Sequence, residues 1–123
     1  MPEENVIRID KEQLFNYNND LTIKLPSNRE FEPHSFFSIL GGEEFITKFQ
    51  VENIVVDVNK HRLMMDIKTV SSINRIVISY NNIDTYNIEF FEDGTVINTL
   101  NDIEFWDLEQ TFNNYINNLD NDN

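Results

Sequence analysis

Groups able to move a proton, hold a metal or attack a carbonyl occur in this chain without the spacing that such chemistry needs. His34 and His61 are the two imidazoles, with 26 residues between them. They lack the i, i+4 spacing that sets two ligands on one helix face, so a histidine metal site would have to be assembled by folding alone. His61 follows a turn at Asn59-Lys60, which predicts exposure, and His34 follows Pro33, which predicts a loop. Gly41, Gly42 and Gly94 are the only glycines, and they match neither a phosphate loop nor a dinucleotide fingerprint. No G-x-S-x-G elbow marks a nucleophile. Glu43-Glu44 and Glu92-Asp93 pair carboxylates, but both pairs flank turns or helix starts, which predicts solvated surface rather than the divided environments of an acid–base couple. Asp120-Asn121-Asp122-Asn123 opens like a calcium loop without the glycine and distal glutamate such a loop requires. With no cysteine there is neither a disulfide nor a thiolate site. The expectation is a protein that is not an enzyme, with no metal and no cofactor.

Negative charge is what the chain has in quantity, and its distribution is regional. Residues 1–75 hold twelve acids and nine bases, while residues 76–123 hold ten acids and no lysine, arginine or histidine, so nets of −3 and −10 make up the total of −13. Asparagine occurs 19 times and lysine five times. An A-rich coding bias would enrich both, so the shortage of lysine points to selection against positive charge. Eight of the acids, Asp84, Glu89, Glu92, Asp93, Asp102, Glu104, Asp107 and Glu109, fall on neighbouring predicted elements together with Trp106, the only tryptophan.

The elements that must position these groups read as an α+β fold of about five to seven strands. At 123 residues with 40% apolar content, one core and one domain over 1–119 are expected, followed by a frayed polar tail at 120–123. From Val51 onward, short alternating segments separated by turn residues predict an antiparallel meander. Its strands carry Ile54, Val56 and Val58; Leu63, Met65 and Ile67; Ile76, Ile78 and Tyr80; Tyr86, Ile88 and Phe90; and a fifth strand after Asp93-Gly94, a dipeptide suited to a type I′ turn. Val6 to Ile9 and Leu21 to Leu25 predict two edge strands, and Pro26 to Pro33 an irregular stretch. A helical segment over 34–49 is broken by Gly41-Gly42, with Glu43 and Glu44 opening its second part. From Asn101 to Leu119 the period turns helical: Phe105, Leu108, Phe112, Tyr115, Ile116 and Leu119 form one core-facing stripe. Asn101 with Glu104 resembles a capping box, and Leu100 with Phe105 a hydrophobic staple.

On that helix Ile103, Trp106 and Gln110 are expected opposite the stripe, with Asp107 beside them. Two placements of Trp106 follow: an exposed anchor among carboxylates, as in a binding hot spot, or a ring tucked against the sheet end or the first fifty residues. If the helix packs beside the last two strands, the eight acids frame a continuous negative surface. Such a surface repels nucleic acid and anionic membrane and attracts a basic protein, above all a nuclease or other nucleic-acid-binding protein whose phosphate-binding residues it can occupy. Small size, acidity and the Asn-rich, lysine-poor composition resemble in type the nucleic-acid mimics by which phages and mobile elements inhibit restriction or CRISPR nucleases, a likeness of character carried by no alignable motif. An immunity protein or antitoxin against a cationic nuclease toxin uses the same physics. A third reading, a small enzyme or ligand-binding domain, calls for a deep pocket lined by His34, Glu43 and tyrosines. The acidic N-terminal residues and the lack of a long apolar run predict a cytoplasmic protein, and the sequence leaves monomer and homodimer both open.

Overall fold

The structure is a computed structural model and describes residues 6–14, 23–24, 30–70, 72–81 and 85–120. Six antiparallel strands form one sheet in the order β1 (Val6–Ile9), β4 (Glu52–Asp57), β5 (Arg62–Val70), β6 (Ile73–Tyr80), β7 (Tyr86–Glu92) and β8 (Thr95–Ile103). The expected α+β meander is therefore present, and β1 extends it by pairing with β4 in register, Val6 opposite Asp57 and Ile9 opposite Ile54. The strand expected at Leu21 to Leu25 is instead β2 (Ile23–Lys24), which leaves the main sheet and pairs with β3 (Glu30–Phe31). Beside these lie α1 (Lys11–Leu14), α2 (Pro33–Leu40), α3 (Glu43–Lys48), a 3-10 turn (Phe105–Asp107) and α4 (Leu108–Asp120). Of the tail expected at 120–123, Asp120 instead ends α4, while Asn121 to Asn123 and the acid at Asp84 lie outside the described residues.

Turn chemistry sets the register of the hairpins. At the β7–β8 turn Asp93 and Gly94 both take positive φ, 48° and 88°, as a type I′ turn demands. Asn74 on β6 holds the turn: its Nδ2 donates to Asp93 Oδ1 at 2.9 Å, and the Asp93 N–H donates to its Oδ1 at 3.2 Å. At the β4–β5 turn the left-handed residue is His61 (φ 51°), while Asp57 Oδ1 accepts the Lys60 N–H. His61 is half-buried, not exposed as expected, with its ring 6.3 Å from that of Tyr80. Gly41 and Gly42 separate α2 from α3 as the sequence predicts, at φ 131° and 67°. His34 corrects the expectation of a loop. Pro33 occupies the first turn of α2, where its missing N–H costs nothing, and His34 follows it inside the helix, its Nδ1 2.9 Å from the Leu14 carbonyl oxygen.

All the helices with a described apolar face pack on one face of the sheet. Ile54, Val56, Leu63, Met65, Ile67, Ile76, Ile78, Ile88 and Phe90 point inward from the strands and share one buried cluster with Phe36, Phe37, Phe45, Phe49, Leu108, Phe112 and Ile116. Phe112 is its hinge-pin: its ring lies 5.4 Å from Phe45, 5.2 Å from Phe49 and 5.9 Å from Phe90. The other face of the sheet has none of the described helices over it. Alternation from the buried positions and the strand registers puts Val55, Met64, Val77 and Glu89 in one row across it and Asp66, Arg75, Phe91 and Val96 in the next. A groove of about 560 Å³ beside the Asp93-Gly94 turn is lined by Asp66, Ile67, Lys68, Asn74, Arg75, Phe91 and Gly94.

Candidate functional site

The acidic segment after Arg75 is built from β7, β8 and the start of α4, and the last of these differs from the sequence expectation. β8 runs on through Asn101 and Asp102 to Ile103, so Asn101 is no helix cap. Glu104 takes the N-cap position in extended backbone without a side-chain capping bond. Asp102 sits at φ 59° where the β7–β8 register shifts between Tyr86 and Ile88. Its N–H donates to Asn87 Oδ1 at 3.0 Å, and Asn81 Nδ2 donates to its carboxylate at 3.1 Å. Asparagine side chains thus supply the hydrogen bonds that let the strand continue past the predicted helix start. Ile103, expected opposite the core stripe, is buried, because on a strand paired with Tyr86 its side chain faces inward.

Phe105 and Trp106 are divided by the 3-10 turn. Phe105 points into an aromatic cluster, 5.5 Å from Phe36 and 6.0 Å from Tyr86 in edge and tilted contacts, and Trp106 consequently projects into solvent with 69% of its surface accessible. Of the two placements the sequence allows, the structure takes the exposed one. Glu104 and Asp107 flank the indole in the chain, Glu109 opens α4, and all three are exposed. Acids in this position also oppose the positive end of the helix dipole, which stabilises α4 whatever else they do. Glu109 Oε2 reaches the α2–α3 turn, 3.3 Å from where a Cβ on Gly41 would stand. That turn leads into the exposed Glu43 and Glu44, two acids that sequence reasoning left out of the site; the approach of Glu109 to Gly41 is a tertiary contact with no signal in local spacing.

The seven described acids of the predicted set do not all fall in one place. Asp102, Glu104, Asp107 and Glu109 all lie within four residues of Trp106 in the chain. Glu92 and Asp93 lie at the other end of β8, about 25–30 Å away at the rise of an extended strand. Glu89 is on the helix-free face of the sheet, opposite Thr99 and Val77, and Asp84 is outside the described residues. Charge compensation is equally uneven. The ion pairs Lys11–Glu52 (3.4 Å), Arg62–Asp57 (3.4 Å) and Arg75–Asp66 (3.0 Å) all belong to β1, β4, β5, β6 and their flanks, whereas no ion pair among the described residues involves Glu104, Asp107 or Glu109.

No group of three or more metal-ligating side chains occurs among the described residues, and no described helix is long and apolar enough to cross a membrane. The groove on the sheet includes neither His34 nor Glu43 nor a tyrosine. No protein-family model, curated protein or solved structure matches this chain.

Proposed function

We propose that this chain is a non-enzymatic binding protein of the cytoplasm that engages a basic nucleic-acid-handling protein through the surface around Trp106 and blocks its substrate site. The observation that carries this reading is the exposure of the only tryptophan between Glu104 and Asp107, in a stretch of sequence that contains no base. A large rigid aromatic side chain in water costs solvation and is recovered when a partner covers it. Unpaired carboxylates around it attract a cationic groove at long range and repel nucleic acid. The rigid seat of the segment, with Phe105 locked among Phe36 and Tyr86, lowers the entropy lost on binding. Glu104, Asp107, Glu109 and Asp102 are then the acids that meet the partner's phosphate-binding residues. Inhibition of a defence nuclease and neutralisation of a cationic toxin are both instances of this function.

Capture from a cell lysate on the immobilised chain, with mass spectrometry of what is retained, tests the proposal. The retained proteins are expected to be basic, to bind nucleic acid, and to be released by salt and by competing duplex DNA. Retained proteins that ignore both salt and DNA would sink the reading.

A further inference from the structure

We infer that the outer edge of β8 docks an extended segment of another protein, uncharged for about seven residues and carrying lysine or arginine at both ends, which adds to the sheet as a further strand. This goes beyond the reading above, because it uses a different surface and does not need Trp106. β8 ends the sheet: it pairs with β7, and among the described residues no strand pairs on its other side. An edge strand presents unpaired N–H and C=O groups to any chain that can match them. Positions Thr95 to Thr99 are all exposed, Val96 and Ile97 with 42% and 45% of their surface accessible. Natural edges are blunted by lysine, proline or an inward-pointing charge, and the run from Thr95 to Asn101 contains none of these. Its β-branched residues favour extended pairing. Register shifts at Ile97 and at Asn101 and Asp102 bend the strand, yet Asn98, Thr99 and Leu100 stay in step with Phe90, Glu89 and Ile88.

Charge decides the occupant. Glu92 and Asp93 stand at one end of the uncharged run, Asp102 and Glu104 at the other, and Glu89 lies opposite Thr99 on β7. Asp102 accepts from the Asn81 amide at 3.1 Å, a neutral partner that leaves its charge uncancelled. Counting across the registered strands from β8, the first base is Arg75 on β6, and it is paired with Asp66 at 3.0 Å. A second copy fits poorly: pairing β8 with β8 in either direction sets acids against acids at both ends, and like charges directly opposite destabilise a strand pair. Nucleic acid would bring phosphate to the same acids. A segment with a neutral middle and basic ends matches the free backbone groups along the run and the charge at each end.

Fluorescence anisotropy of a labelled peptide of alternating valine and threonine, with a pair of lysines at each end, tests this on the full chain. Binding is expected, weakened about tenfold or more when glutamate replaces the lysines, and lost when the peptide's backbone nitrogens are methylated, which removes its donors. Successive N–H groups of a strand point to opposite edges, so of Asn98→Pro and Thr99→Pro one removes a bond to β7 and the other an outward donor. The latter should keep the wild-type circular dichroism spectrum and lose the peptide, while Trp106→Ala should bind it like the wild type. The control peptides decide the matter even if neither proline variant folds. No anisotropy change with the wild type overturns the inference. So does equal binding of the glutamate or methylated peptide, equal binding by both proline variants, or loss of binding in Trp106→Ala. A wild-type dimer in sedimentation that a folded proline variant dissolves gives the edge to a second copy and overturns it as well.

Discussion

Trp106 combines the largest side chain in the sequence with almost no packing, so its removal should separate binding from stability. Trp106→Ala is expected to shift unfolding stability by no more than about 0.5 kcal/mol, as for an exposed residue without partners, and to weaken partner binding by about 2 kcal/mol or more, as for an interface anchor. Chemical denaturation and calorimetric titration of the captured partner measure the two. A large loss of stability would mean that the indole is structural. Charge reversal at Glu104 and Asp107 should act mainly on association rate and its salt dependence, because exposed charges steer encounter. Stopped-flow association at two ionic strengths reads this directly, and identical rates for the variant and the wild type would remove these acids from the interface. At this scale the residue types were legible in the sequence, and which of them stand together was not. Asp93 and Asp102 look equivalent in a list of acids, but nine residues of extended chain keep them apart.

The elements that hold the site in place have their own weak points. Gly41 closes α2 at φ 131°, and a Cβ there would meet Phe45 Cβ at 3.2 Å and Glu109 Oε2 at 3.3 Å. Gly41→Ala should therefore destabilise the domain by about 1–3 kcal/mol through backbone strain and displace the first turn of α4. The thermal midpoint gives the energy, and indole fluorescence at Trp106 reports the displacement; an unchanged midpoint would show that the turn relaxes freely. Phe112→Ala should cost about 3–5 kcal/mol as a buried aromatic truncation, measurable in the same denaturation experiment, because its ring joins α4 to both α3 and β7. The core stripe of α4 and the turn at Asp93-Gly94 were readable because period and turn residues are local signals. The helix start was not: Asn101 and Glu104 have cap spacing, but the β7–β8 ladder and the Asn87 hydrogen bond to Asp102 outcompete capping and carry the strand three residues further.

For the whole molecule the net charge of −13 sets how it responds to its medium. Self-repulsion opposes the compact state, so the thermal midpoint should rise as salt is added to a dilute low-salt solution. Differential scanning calorimetry checks this, and a falling midpoint would show that favourable ion pairs dominate instead. The same salt weakens the attraction of a basic partner to the Trp106 surface, so a titration of ionic strength separates the two effects in a single preparation.

Sequence alone determined the α+β class, the strands from β4 to β8, the broken helix at Gly41-Gly42 and the concentration of uncompensated acid after Arg75, because alternation, helical period, turn chemistry and composition are properties of neighbouring residues. Tertiary structure decided the rest. Strand order placed β1 beside β4, the direction of β8 separated Glu92 and Asp93 from Asp102 and Glu104, and the aromatic seat of Phe105 turned Trp106 outward. Each depends on which distant segments meet, and that is fixed by competition among packings for one core rather than by any local pattern.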